Sequence, residues 1–168
     1  MTEKAIDVLP VASDDEIGRV LDLAKAIWTD HYSPILGRDQ VAYMLETYHS
    51  RSAIKSEITD KGFSYFLIRN DGRDVGYFAF RIDAQGLFLS KIYIIASERG
   101  QGLAKRALAY LRDQAIRDGA TRIRLTVNKK NTGSISAYEK IGFLKTGEVL
   151  ADIGNGFVMD DFTMAWDL

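Results

Sequence analysis

Apolar residues recur at helical spacing in the first third of the chain and at strand spacing in the middle, and this change of period sets out the fold. Residues 5–11 alternate loosely and predict a first strand. Ser13-Asp14-Asp15-Glu16 has the form of a capping box, with Ser13 as N-cap and Glu16 three positions on. The helix it opens carries Ile17, Val20, Leu21, Ala24, Ile27 and Trp28 on one face. It is predicted to end near Thr29 and Asp30. Pro34 disfavours helix at Ser33, so His31-Tyr32-Ser33-Pro34 reads as a connector. Residues 38–47 are helical again through Val41, Met44 and Leu45, and residues 52–59 through Ile54 and Ile58, with a stop at Lys61-Gly62.

The period then switches. Residues 63–69 and 75–83 read as strands joined by the hairpin turn Asn70-Asp71-Gly72-Arg73. After Ala84-Gln85-Gly86, residues 87–95 form a β-branched and aromatic run too continuous for a half-exposed strand, which places it centrally. Ala96, Ser97 and Glu98 break that run. From Leu103 the helical period returns through Ala107, Leu108, Leu111 and Ala115, predicting a helix over 103–117 with Gly119 as its stop. Residues 121–128 form a strand that a right-handed crossover sets parallel to the central one. A short helix from Asn131 closes at Gly142. Residues 145–153 and 162–168 predict a terminal strand pair linked through Gly154-Asn155-Gly156. This is one mixed α/β domain: helices over 14–61, a core over 63–143 and a strand pair over 145–168.

The strand-to-helix junction carries the first chemistry. Gly100 and Gly102 let the backbone turn sharply and leave its amides bare. The first amides of the following helix have no partners within it, and that end carries about half a positive charge. Such a junction suits a pyrophosphate. The dinucleotide fingerprint fails, because Lys105 stands where its last glycine belongs, and the G-K-[ST] of a nucleotide P-loop is absent.

Composition narrows the classes further. Over 168 residues, 22 Lys and Arg stand against 23 Asp and Glu, so no field of one sign argues for nucleic acid or membrane surfaces. With no cysteine there is no thiol nucleophile or thiolate metal site, and His31 and His49 are too few for a histidine-rich one. The start, Met1-Thr2-Glu3-Lys4, lacks the apolar core of a secretion signal, and no run approaches a membrane span; a cytoplasmic protein is expected.

Arg99-Gly100-Gln101-Gly102-Leu103-Ala104 resembles the coenzyme A signature [QR]-x-x-G-x-[GA] of the GNAT superfamily of N-acetyltransferases. Residues 131–143 resemble its second motif, N-x-x-[AS]-x-x-x-Y-x-K-x-G-F, at every fixed position: Asn131, Ser134, Tyr138, Lys140, Gly142 and Phe143. The resemblance implies a mostly antiparallel seven-stranded sheet flanked by helices, with a splayed parallel pair at its centre. It implies acetyl-CoA as co-substrate, no metal, and direct acetyl transfer to a primary amine. The amides of Gln101, Gly102, Leu103, Ala104 and Lys105 would hold the pyrophosphate, with Gly100 keeping the approach open. Arg99 and Lys105 either add charge there or are solvated cations. The pantetheine arm would pair with the backbone of Ile92, Tyr93 and Ile94. Asn131 would bond the arm, or else only open its helix; Ser134 and Lys140 complete the implied cofactor set. Tyr138, the family's general acid, would protonate the leaving thiolate, and the Ile94 N–H would serve the oxyanion.

No base stands out. An alkylamine of pKa ~10.4 is almost wholly protonated at neutral pH, a cost of roughly 4–5 kcal/mol. Many relatives keep a strand glutamate for that proton, but Phe88-Leu89-Ser90-Lys91 offers none. Glu98 reads as a surface charge near the phosphates. Candidates for amine binding are His31, Tyr32, Tyr43 and Glu46, with Asp30 and Asp39 beside them. Val41-Ala42-Tyr43-Met44-Leu45 and the ending Asp161 to Leu168 resemble a bacterial polyamine N-acetyltransferase subgroup, whose strand glutamate is here Ser90. The alternatives are a protein N-terminus, another small amine, or a module that binds acyl-CoA without turnover. An exposed edge near Phe162 would allow a homodimer.

Overall fold

The structure, a computed structural model, describes residues 6–168. Ala5, where the first strand was expected to begin, and the segment Met1-Thr2-Glu3-Lys4 lie outside them. Seven strands form one sheet: β1 (Asp7–Pro10), β2 (Ser64–Asn70), β3 (Arg73–Asp83), β4 (Gly86–Ile94), β5 (Arg122–Asn128), β6 (Leu144–Gly154) and β7 (Phe157–Asp167). Their order is β1-β2-β3-β4-β5-β7-β6, antiparallel throughout except for the parallel pair β4–β5. The helices are α1 (Asp14–Leu36), α2 (Arg38–Tyr48), α3 (Arg51–Asp60), α4 (Leu103–Arg117) and α5 (Thr132–Ile141). None is long and apolar enough to cross a membrane.

Each face of the sheet is covered. Phe78, Phe80, Leu89, Ile94, Leu125 and Val127 point to one face, where Leu103, Ala107, Leu108 and Leu111 of α4 bury against them. Tyr65, Leu67, Tyr77 and Ala79 point to the other, where Ile17, Val20, Ala24, Ile27 and Trp28 of α1 pack with Val41 of α2 and Ile54 of α3. Strand alternation and the helical stripe thus sort the same residues that the sequence pattern singles out.

Three expectations are corrected. First, α1 does not stop at Asp30 but runs through Pro34 to Leu36. Its apolar stripe continues past Trp28 to Tyr32, Ile35 and Leu36, and Trp28 meets Tyr32 edge-on at 5.7 Å. Pro34 forfeits the one bond its missing N–H would have made to the Asp30 carbonyl, so packing outweighs local preference. Second, β7 starts at Phe157 rather than Phe162, and it is hydrogen-bonded on both sides. The edge strands of the sheet are β1 and β6, and it is β6, with Leu144 and Leu150 exposed, rather than the strand around Phe162, that lies open at this end. Third, Glu98 is buried. It accepts hydrogen bonds from Asn70 Nδ2 at 3.1 Å, Arg73 Nη2 at 3.0 Å and Gln101 Nε2 at 3.4 Å. It ties the turn after β4 to the β2–β3 hairpin.

His49 is a further buried polar group. Its Nε2 lies 2.9 Å from the Tyr77 hydroxyl, while Nδ1 has no hydrogen-bond partner. Burial, with a smaller push from Lys91, holds the imidazole well below its usual pKa of 6.5. The folded chain keeps His49 neutral while the unfolded chain protonates it. Its stabilising share is therefore complete above about pH 6.5 and is lost as pH falls below it, at up to about 1.4 kcal/mol per pH unit. In urea titrations, the stability gap between the wild type and His49→Phe should narrow below about pH 6.5. A gap independent of pH would contradict this.

Candidate active site

β4 and β5 pair only at Leu87–Ile123 and Phe88–Arg124, then part. The cause is on β4's other side. There Phe80 pairs with Leu89 and Ala79 with Lys91, so Ser90 is an extra residue with no partner, a β-bulge that bends the strand. Beyond it the register is Phe78–Ile92, Tyr77–Tyr93 and Gly76–Ile94. The Ile95 N–H donates to the Val75 carbonyl at 2.9 Å. Hydrogen-bonded pairs alternate along an antiparallel ladder, so Tyr93 pairs with Tyr77, while the backbone groups of Ile92 and Ile94 point away from β3. They face the space that β5 has left. Gly76 keeps β4 in this position: a Cβ there would stand 2.3 Å from the Tyr93 carbonyl oxygen and 2.9 Å from Ile94 Cδ1.

A cavity of about 660 Å³ fills the gap. One end opens at the start of α4. Gly102 is its N-cap, in the left-handed region at φ 78°, with no side chain capping the helix. The first intrahelical bond runs from the Arg106 N–H to the Gly102 carbonyl, so the amides of Leu103, Ala104 and Lys105 are left outward. The Arg99 Nε–H donates to the Ile94 carbonyl at 3.0 Å, locking this loop to the end of β4. Arg99 is thus an anchor as well as a cation. Lys105 is exposed.

The other end is aromatic. His31, Tyr32 and Ile35 of α1 face Tyr93 of β4, Tyr138 of α5, and Met159 and Asp161 of β7. The hydroxyls of Tyr32 and Tyr93 lie 3.4 Å apart. Tyr138 packs on Phe143 at 5.4 Å between ring centres. Burial, reinforced by Tyr32, raises its pKa, so the phenol is protonated at neutral pH. Burial lowers the His31 pKa, Arg99 adds to this, and the Asn131 side chain opposes it. Asp161 is buried, its Oδ1 has no hydrogen-bond partner, and burial followed by Asp160 pushes its pKa up to about 6.

The cavity gathers His31, Tyr32, Ile92, Tyr93, Ile94, Arg99, Ala104, Asn131, Ser134 and Tyr138 from the residues singled out in the sequence. Gly100, Gln101, Gly102 and Lys105 are exposed at the helix start but are not among the residues lining the cavity, and Leu103 turns its side chain into the core. Asn131 lines the cavity and also caps α5, its Oδ1 accepting from the Ser134 N–H at 3.4 Å. Lys140 is exposed on α5, away from the lining. Tyr43 and Glu46 are not brought to the cavity. The Tyr43 hydroxyl donates to the Ile153 carbonyl at 2.8 Å and its ring meets Phe157, while Glu46 is exposed, as are Asp30 and Asp39.

Two carboxylates escaped the sequence reading. Glu57 of α3 accepts from the Tyr65 hydroxyl at 2.6 Å and lies 3.6 Å from Lys91 Nζ, which burial pushes below its usual range. Its signal was a charge on the helix face marked by Ile54 and Ile58. Asp161 was hidden by the short reading of β7. Alternation begun at Phe157 sets Phe157, Met159 and Asp161 on one side.

Bare helix-start amides, an unpaired strand edge and a buried phenol along one cavity define a site for a long anionic ligand and a group-transfer step. The profile of the acetyltransferase (GNAT) family matches residues 21–143. An uncharacterised N-acetyltransferase of Mycobacterium bovis is 30% identical over 131 residues, 75% of this chain and 84% of that protein. Mouse N-acetyltransferase 8 is 27% identical over 141 residues, 78% of this chain and 56% of that one. Among solved structures, PaiA N-acetyltransferase from Thermoplasma acidophilum in complex with coenzyme A superposes with a TM-score of 0.80 at 17% identity, covering 98% of this chain and 100% of that one. The ribosomal-protein-S18-alanine N-acetyltransferase of Escherichia coli gives 0.71 at 16% identity, covering 96% and 93%. The chain belongs to the GNAT family of acetyltransferases, and it is an N-acetyltransferase.

Gly76→Ala should force β4 off this register. The cost expected is about 1–3 kcal/mol in denaturant unfolding, as for other overpacked sites. An unchanged midpoint would show that β4 has room to spare.

Proposed function

We propose that this protein binds acetyl-CoA and a primary amine together in the parted-strand cavity and transfers the acetyl group directly, without a covalent enzyme intermediate. The observation that carries this reading is the backbone of Ile92 and the N–H of Ile94, turned away from β3 and laid between the bare amides of α4 and Tyr138. The pyrophosphate sits on the amides of residues 101–105, where helix dipole and N–H groups both favour an anion. The amide-bearing arm pairs with Ile92 as an added strand would. The thioester carbonyl then reaches the Ile94 N–H, which stabilises the oxyanion. The coenzyme A held by the Thermoplasma structure, on the same fold, supports this ligand.

Tyr138 donates its proton to the departing thiolate. A thiol of pKa roughly 8.5 leaves readily once a neutral phenol supplies that proton. The acceptor enters from the α1 side, past Tyr32 and Tyr93. A polyamine fits this reading with one ammonium inside, because Asp161 is the one carboxylate among the described residues that line the cavity. Its remaining charges would meet the exposed acidic residues outside. If two copies associate, they pair along β6, the edge strand that exposes Leu144 and Leu150.

Thiol release from acetyl-CoA, assayed with spermidine, free amino acids and N-terminal peptides, tests the reading. Turnover with at least one amine is expected, and Tyr138→Phe should lower kcat at least about 100-fold with little change in coenzyme A affinity. Tight coenzyme A binding without turnover across the panel would make the chain a binding module instead.

A further inference from the structure

We propose that Asp161 is the proton acceptor for the incoming amine, held on β7 instead of on the central strand. This rests on the reading above that amine and acetyl-CoA meet in this cavity. The position is built. Asp161 pairs with Asn128 on β5 and Val149 on β6, so both neighbours fix its backbone. Its side chain shares a face with Met159, which lies against Gln40 of α2, while Phe162 turns to the α4 face. The carboxylate therefore looks into the acceptor end of the cavity. It is only 9% exposed, and its Oδ1 has no partner. An unpaired carboxylate oxygen in a buried site weakens the fold and returns nothing structural. A substrate ammonium would complete it.

Four other carboxylates are occupied elsewhere. Glu57 accepts from Tyr65 and faces Lys91. Glu98 is filled by Asn70, Arg73 and Gln101. Asp160 and Glu148 are held outside the cavity by Lys129, at 2.9 Å and 3.2 Å. Ser90, where a strand acid would stand, is the bulge residue.

The proton balance closes. The ammonium gives one proton to Asp161, and the free amine attacks the thioester carbon. The carbon–sulfur bond breaks, sulfur takes the Tyr138 proton, and the phenolate recovers one from the acylated nitrogen. Asp161 then releases its proton to solvent. The sum is ammonium plus acetyl-CoA giving amide, coenzyme A thiol and one proton. A carboxyl raised to about 6 by burial is a stronger base than an exposed one and still ionised at neutral pH.

The groups facing it separate cleanly by titration. Tyr32 of α1, which senses the Asp161 charge, Tyr93 of β4 and Tyr138 of α5 are all held above their ordinary phenol pKa, so they stay protonated. Lys91 on β4, Arg99 before α4 and Lys130 before α5 are the cations of the lining, and Asp160 is the neighbouring charge on β7 itself. His31 is the one other cavity group whose ordinary range lies near neutrality, and its pKa is lowered.

The test compares wild type, Asp161→Asn, Asp161→Glu and His31→Asn in kcat/KM from about pH 5 to 9.5. Asp161→Asn should lose at least about 100-fold at pH 7 and lose the acidic limb near pH 6, and its activity should climb about tenfold per pH unit toward the amine's own pKa. Coenzyme A affinity and melting temperature should be unchanged or better. Asp161→Glu should recover part of the rate and keep the limb; His31→Asn, whatever it does to the rate, should keep the limb near pH 6. A limb that survives in Asp161→Asn, or that vanishes in His31→Asn instead, overturns the proposal. If the wild type releases no thiol with any amine, the transferase reading fails separately. Carbon-13 NMR titration of Asp161 in coenzyme A-saturated protein, with and without spermidine, then decides the point: a pKa drawn down by spermidine supports it and an unmoved one contradicts it.

Discussion

The site exists because two parallel strands at the centre of the sheet stop pairing after two residues. A buried strand ordinarily satisfies its N–H and C=O groups on both sides, since a lost partner costs as much as a hydrogen bond is worth. Here Ser90 is extruded as a bulge, β4 swings off β5, and the backbone of Ile92 and Ile94 is left facing a cavity. Among the described residues, Arg99 repairs the Ile94 carbonyl. A polar edge inside a protein, reachable from outside, is a binding surface for something with amides of its own. The glycine junction at Gly100 and Gly102 supplies the anion end of the same surface.

The remainder of the molecule keeps those two strands apart. α4 and its leucines hold β4 from one face, and the aromatic group of Trp28, Tyr32, Tyr77 and Tyr93 holds it from the other. Glu98 binds the turn after β4 to the β2–β3 hairpin, and Gly76 lets β3 come close enough to do the same in the strand. Beneath the acceptor end lies a buried polar layer in which the Trp28 indole donates to Tyr77, His49 meets the same hydroxyl, and Glu57 joins Tyr65 to Lys91. Apart from His49 Nδ1, such a layer is satisfied by directional contacts, so it specifies one arrangement of α1 and α3 over the sheet.

The sequence carried the fold almost whole where local signals and packing agree. The capping box at Ser13, the Asp71-Gly72 hairpin turn and the amphipathic run of α4 each fell where the pattern put them. The phosphate end was equally readable, because glycines and a helix start lie next to each other in the chain. The acceptor end was not, because it is assembled from distant segments. Pro34 argued for a connector, yet the Trp28–Tyr32–Tyr93 contacts carried α1 across it and delivered His31 and Tyr32 from a helix. Asp161 sat one residue before the strand as first delimited. Glu98, read as a surface charge, proved to be an internal tie. In each case a contact across the sheet outweighed the local preference.

Amide hydrogen exchange at the central strand addresses the parted edge most directly. On addition of acetyl-CoA in the absence of amine, the N–H groups of Ile92 and Ile94 should slow by at least about tenfold as they gain a partner, while Tyr93, already bonded to Tyr77, should barely change. If acetyl-CoA binds and Ile92 and Ile94 exchange as before, the ligand lies elsewhere and the parted strands are not its seat.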